Sequence, residues 1–321
     1  MTLMSPPRLV EAFADRRRTG RAATLAFGLA ALAGCHSVRQ PAAQPIDWNA
    51  DDSAHIAWLE AHGRRMDGKQ VVILAPPEQM TVAWQTALVD SLDRGVAELR
   101  RLIGARSWQR IGTRPIRYYL VPERMISHAS GNGVVFVSMY HVTNGQAPYL
   151  HEAVHELLAP PPPFFYAEYP DTVEAETLFQ AKPYWLMEGL PDVLAQLAAL
   201  AAGTIEGDVF TIGGLDKVDS TCAARVAQSP YRADILRVTG GSGGVDALWT
   251  TDRIKVAPVF YACAQSMSKF VVDLIGMEQT VELFPAIKRR DWVATLERSA
   301  GIPLAPIQAR WQARLGLDSP R

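Results

Sequence analysis

Residues 149–158 read YLHEAVHELL, and the reading of these ten residues decides the rest. Leu150, Val154, Leu157 and Leu158 recur at i, i+4, i+7 and i+8, the apolar stripe of an α-helix that buries one side. His151 and His155 are four apart, so on that helix both imidazoles leave one face a turn apart and can reach a single ion. Glu152 projects beside them, placed to take a proton from a water rather than to bind the ion. Pro148 suits the first turn, and the four prolines at 160–163 stop the helix. Two histidines at this spacing also occur on ordinary amphipathic helices, so a third donor is required.

The stretch YWLMEGLPD at 184–192 offers one. Glu188 is a carboxylate of the kind that completes a two-histidine zinc site. Asp192 lies four residues on, where a helix puts it on the same face. There it can accept the spare N–H of a liganding histidine and fix that ring's tautomer. Pro191 stands inside this second helix, and its ring works against an undistorted turn at Asp192. Thirty-two residues separate His155 from Glu188. Glu174 stands nearer in the chain, but local context favours Glu188, because an inserted loop can lengthen the connection without moving the helix.

Composition bounds the alternatives. The chain has 321 residues, 48% of them hydrophobic, and a net charge of -1. That is a globular composition, with no basic stripe or recognition motif for nucleic acid. The first 35 residues differ in kind. Arg16, Arg17, Arg18 and Arg21 precede the apolar run AATLAFGLAALAG, which leads into Leu32-Ala33-Gly34-Cys35. The run has 13 residues, too few for a permanent bilayer span. It resembles a bacterial lipoprotein signal peptide over residues 1–34. That resemblance implies acylation at Cys35, a tether over 35–50, and a lipid-anchored protein of the cell envelope. His36 stands where an Asp would imply retention in the inner membrane, so the periplasmic face of the outer membrane is expected. Cys222 and Cys263 are left over, either paired in an oxidising compartment or free and buried.

Residues 51–64 and 79–105 carry helical patterns. QVVILAP (70–76), PIRYYLV (115–121) and GVVFVSMYHV (133–142) read as strands, and after Pro148 the pattern is mostly helical. The expected architecture is α+β. A sheet-containing lobe over 51–158 holds the HExxH helix, and a helical lobe over 159–321 carries the third ligand. GGSGG at 240–244 reads as a hinge or surface loop.

HExxH followed by W-L-x-E-G resembles the gluzincin metallopeptidases, the broad group of thermolysin and the zinc aminopeptidases. The closer likeness is to bacterial proteins of the peptidase MA-like type. It extends over roughly 70–316 through FYACAQSMSKFVVDLIG (260–276) and LERSAGIPLAPIQARWQARLG (296–316), although only the first two motifs are specific. The resemblance implies a zincin-like fold with a small mixed sheet, and an edge strand within 133–142 that would hold an extended peptide. It further implies one Zn²⁺ per chain on His151, His155 and Glu188, with Glu152 as general base. Tyr261 is the candidate donor to a developing oxyanion, with Tyr140 and His141 as alternatives. The Gly-x-Met-Glu-Asn motif of the aminopeptidases is absent, which disfavours an exo-acting enzyme. The expected activity is therefore peptide-bond hydrolysis on a peptide or protein substrate, and the alternative is a non-catalytic zinc-holding scaffold on the same fold.

Overall fold

The computed structural model describes residues 48–104, 112–158, 183–210, 212–241 and 246–317. By its contacts the chain divides into two units, Met1–Ile46 and Asp47–Arg321, and the described residues all belong to the second. The expected signal and tether residues up to 47, Cys35, the prolines at 160–163, Glu174 and the middle of the glycine loop lie outside the described residues.

The architecture is mixed α+β, a five-stranded sheet followed by a mostly helical remainder. Helix α1 (Trp48–His62) leads to β1 (Arg64–Asp67), β2 (Val71–Ala75), helix α2 (Val82–Ile103), β3 (Ile116–Val121), β4 (His128–Gly131), β5 (Val134–Ser138) and the short helix α3 (Met139–Thr143). The strand order is β1-β2-β3-β5-β4. β2, β3 and β5 run parallel in the centre, while β1 and β4 are antiparallel edges. The central strands are buried on both faces, so they read as continuous apolar runs rather than as alternation. Alternate residues still part company. Val71, Ile73, Tyr118, Leu120, Val135 and Val137 join the main core, whereas Val72, Leu74, Tyr119, Val121 and Phe136 pack with Leu59 of α1.

Helix α2 is amphipathic, with Leu88, Leu92, Val96 and Leu99 buried, and Thr81 caps it by accepting the Trp84 N–H at 3.2 Å. From α2, the Asp93 carboxylate takes the N–H groups of Lys69, Gln70 and Val71 at 2.7, 2.8 and 3.1 Å, fixing where β2 begins.

The expected strand 133–142 is corrected in two respects. It is cut short at Ser138, whose hydroxyl caps α3 by accepting the Tyr140 N–H at 3.3 Å and so turns the chain out of the sheet. It is also interior, because β4 pairs along its outer side. The turn between the two passes through Gly131, Asn132 and Gly133, all at positive φ, so β4 and β5 form a tight hairpin and β4 becomes the edge.

Helix α4 (Tyr149–Leu158) carries the HExxH residues, and helix α5 (Tyr184–Ala202) carries Glu188 and Asp192. Helices α6 (Val218–Gln228), α7 (Arg232–Val238) and α8 (Asp246–Ile275) follow. The chain then runs through α9 (Met277–Val281), α10 (Leu283–Arg289), α11 (Trp292–Ala300) and α12 (Leu304–Arg314). Helices α5 and α8 meet at Gly189. A Cβ there would stand 2.1 Å from the Ala264 carbonyl oxygen, so only glycine lets the two backbones approach this closely. The contact sits one residue from Glu188. Cys222 of α6 and Cys263 of α8 are joined in a disulfide with Cα atoms 4.7 Å apart, which settles the open pairing. It closes a separation of 41 residues, a constraint that the chain-entropy account values at about 4 kcal/mol. Arg225 adds to the tie by donating to the carbonyl oxygens of Pro258 and Phe210 at 2.8 and 2.9 Å.

Candidate metal centre

Helix α4 is buried along its whole length, with apolar residues against the sheet and α2, and its histidine face against α5. His151 and His155 are both under a tenth exposed. Their Nε2 atoms lie 3.1 Å apart, and Glu188 Oε2 lies 3.7 and 3.8 Å from them. An ion bound at about 2.0–2.2 Å to three corners of a tetrahedron spaces its donors by about 3.3–3.6 Å. The triangle therefore has the size that one ion needs, and these three buried side chains can hold a metal ion. Among the described residues this is the only such group of three or more histidine, cysteine or acidic side chains.

The expected supporting carboxylate is in place. Asp192 Oδ1 lies 2.6 Å from His151 Nδ1, which leaves Nε2 directed at Glu188. Pro191 is contained within α5 and does not displace it, so Glu188 and Asp192 share one face as their spacing demands. Tyr261 of α8 also reaches the cluster. Its hydroxyl hydrogen-bonds the Glu188 carboxylate, and its ring stacks on Phe210 with centroids 4.3 Å apart. The two alternatives stand elsewhere. Tyr140 is 39% exposed with the Arg124 guanidinium over its ring, and His141 Nδ1 pairs with the Ser127 hydroxyl at 2.9 Å.

Glu152 is buried and is no part of the ligand triangle. Burial pushes its carboxyl up to about 8, against the pull of His151 and of a hydrogen bond from the Ala129 backbone on β4. Burial likewise pushes His155 down to about 4. Burial works against a charged His151, yet the carboxylates of Asp192, Glu188 and Glu152 together outweigh it and hold that imidazole well above its ordinary range. Burial pushes Glu188 upward too, but His151, His155 and the Tyr261 hydroxyl together draw it below the usual carboxylate range. Negative groups thus crowd a small volume and keep a proton on His151, an environment in which a dication is the natural replacement for that proton.

Three residues that escaped the sequence reading complete the site. Glu206 lies beyond the end of α5. Its Oε2 and Oε1 accept the N–H groups of Leu150 and His151 at 2.7 and 3.0 Å, and burial pushes its carboxyl up to about 8. Glu156 accepts the Gly131 N–H at 2.5 Å and the Gly133 N–H at 2.6 Å, clamping α4 to the β4–β5 turn. Asp52 of α1 accepts from His128 Nε2 at 3.0 Å and from the Ser130 hydroxyl at 3.1 Å, fixing the edge strand that touches Glu152. None has a local sequence signal, because each partner lies more than twenty residues away.

A pH dependence follows for the metal-free protein. Glu152 and Glu206 have folded values raised from 4.5 to about 8, so their stabilising contribution is complete below 4.5 and lost as pH rises through 8. His151, also raised, loses its contribution in the same direction. His155 is lowered, so it opposes this trend only below its ordinary value of 6.5. Between pH 6.5 and 8 the metal-free protein should therefore lose stability, on the order of 4 kcal/mol. A metal-loaded sample should lose much less. Denaturant midpoints at several pH values check this, and a flat metal-free profile would contradict the assignment.

No family model, no curated protein and no solved structure matches this chain.

Proposed function

We propose that this chain is a zinc-dependent metallopeptidase of zincin-like, gluzincin type, anchored by lipid at Cys35 in a bacterial cell envelope. The observation that carries the reading is the convergence of His151, His155 and Glu188 at tetrahedral spacing, with the unliganded Glu152 on the same helix. Two imidazoles and one carboxylate suit zinc among the common divalent ions and leave a position open. When bound, zinc supplies a Lewis acid that acidifies water and polarises a carbonyl.

The chain's own groups supply the rest. Glu152 takes the proton as the O–H bond of the attacking water breaks, and returns it to the leaving amine as the C–N bond breaks. Its hydrogen bond from the Ala129 backbone holds it beside β4. As the sheet edge next to α4, β4 offers main-chain groups to an extended peptide. The Tyr261 hydroxyl, already hydrogen-bonded to Glu188, is the candidate donor to a developing oxyanion. Asp192 orients His151 and makes it a better donor. The Cys222–Cys263 disulfide accords with an oxidising compartment outside the cytoplasm.

One preparation tests the whole reading. Native mass measurement of the protein purified from bacterial membranes should show about one zinc per chain. It should also show a chain that starts at an acylated Cys35, and the same sample should cleave an unfolded protein. A preparation that takes up no zinc ends the metallopeptidase reading. Zinc without cleavage moves the protein to the scaffold alternative, and an unmodified Cys35 removes the anchor.

A further inference from the structure

Helix α4 begins immediately after Pro148, which has no N–H of its own, and the Glu152 N–H is taken by the Pro148 carbonyl at 3.1 Å. The N–H groups of Leu150 and His151 cannot be met from within the helix, as the first-turn amides of any helix cannot. No neighbouring side chain caps them. Both are met by the single carboxylate of Glu206, more than fifty residues further on. The segment that delivers it is held firmly. Thr204 donates to the Ser91 carbonyl of α2 at 2.9 Å, and the Gly207 N–H donates to the Ala147 carbonyl at 2.9 Å. A Cβ on residue 207 would stand 2.3 Å from the Ala147 nitrogen, so the two backbones touch.

We propose that Glu206 is a positioning residue of the metal centre, setting the height of α4 against α5 so that His151 and His155 meet Glu188. This rests on the metal reading and adds to it. His151 is gripped twice by the same stretch of chain, through its ring by Asp192 and through its main chain by Glu206. The stretch from 188 to 206 thus carries one ligand and both grips. Three donors on two helices keep tetrahedral spacing only while those helices hold register to within about 0.5 Å. Glu206 touches no donor atom of the triangle. Its oxygens are committed to the backbone amides of the first turn. Groups that orient ligands in this way are worth about 10–100-fold in metal affinity.

The test measures zinc affinity of the full-length protein by competition with a chromogenic chelator. It also records the ligand-field spectrum after loading with cobalt(II), which reports coordination geometry rather than fold. Glu206→Ala should bind zinc about 30-fold more weakly and shift the cobalt bands, with Glu206→Gln in between because it keeps one acceptor oxygen. Asp93→Asn is the control. It removes a carboxylate that also caps several backbone N–H groups, but at the start of β2. It should lower stability while leaving affinity and spectrum unchanged. Wild-type affinity and spectrum in both Glu206 variants would overturn the proposal, as would equal losses in Asp93→Asn. Should Glu206→Ala fail to fold, Glu206→Gln decides alone. Wild-type protein that binds neither ion overturns the metal centre itself, an outcome distinguishable from the others because it appears before any substitution.

Discussion

Glu152→Gln should bind zinc within about threefold of the unaltered protein and cleave an unfolded protein about 10²–10⁴ times more slowly. The two halves of this expectation have separate causes. The carboxylate stands outside the triangle of His151, His155 and Glu188, so the ligand atoms and Asp192 are untouched. Glutamine has the same shape, keeps an oxygen for the Ala129 N–H, and adds no volume to a buried position. What it lacks is basicity. In the bare side-chain cluster the Glu152 carboxyl is raised to about 8, which would leave it mostly protonated near neutrality. A dication nearby favours the ionised form and draws that value down. The acid limb of the pH–rate profile should accordingly report Glu152 in the loaded protein and disappear in the variant. Cleavage at the unaltered rate would remove Glu152 from the mechanism. Loss of zinc along with activity would make it a structural member of the site instead.

The parts of the site that were legible in the sequence are those written at helical spacing. Leu150, Val154, Leu157 and Leu158 declare one face of α4, and His151 and His155 declare the other. Glu188 and Asp192 repeat the i, i+4 relation on α5. The strands β2, β3 and β5 were legible because burial on both faces requires unbroken apolar runs. The edges were not. β1 is RRMD and β4 is HASG, sequences whose strand pairing comes from neighbours rather than from their own apolar character. Missing β4 displaced the expected edge onto β5. Pro191 pointed to a distortion that the helix absorbs, because packing against α8 at Gly189 and the grip of Asp192 on His151 outweigh one lost backbone bond. Glu206, Glu156 and Asp52 were illegible in principle, since a carboxylate that caps a distant backbone group leaves no local pattern.

Glu188→Ala should lower zinc affinity by about 10³-fold, or about 4 kcal/mol, roughly a third of what such sites supply in total. Glu174→Ala should leave affinity unchanged. The pair of variants sets spacing against context. Spacing along the chain favours Glu174, whereas the local motif and the geometry favour Glu188. Glu188 lies within 3.8 Å of both imidazole nitrogens, and its carboxylate carries the only negative charge of the triangle. Removing it leaves two imidazoles, which cannot balance a buried dication, and leaves the Tyr261 hydroxyl without the acceptor it has now. Glu188→Gln keeps the shape and the hydrogen bond from Tyr261 but not the charge. It should therefore fold as well as the unaltered protein while binding zinc nearly as weakly as Glu188→Ala. That separation of charge from packing is what makes the comparison decisive. Full affinity in Glu188→Gln would mean that the ion is held without this carboxylate. A loss confined to Glu174→Ala would transfer the third donor to that residue and break the link between the two helices on which the proposed chemistry depends.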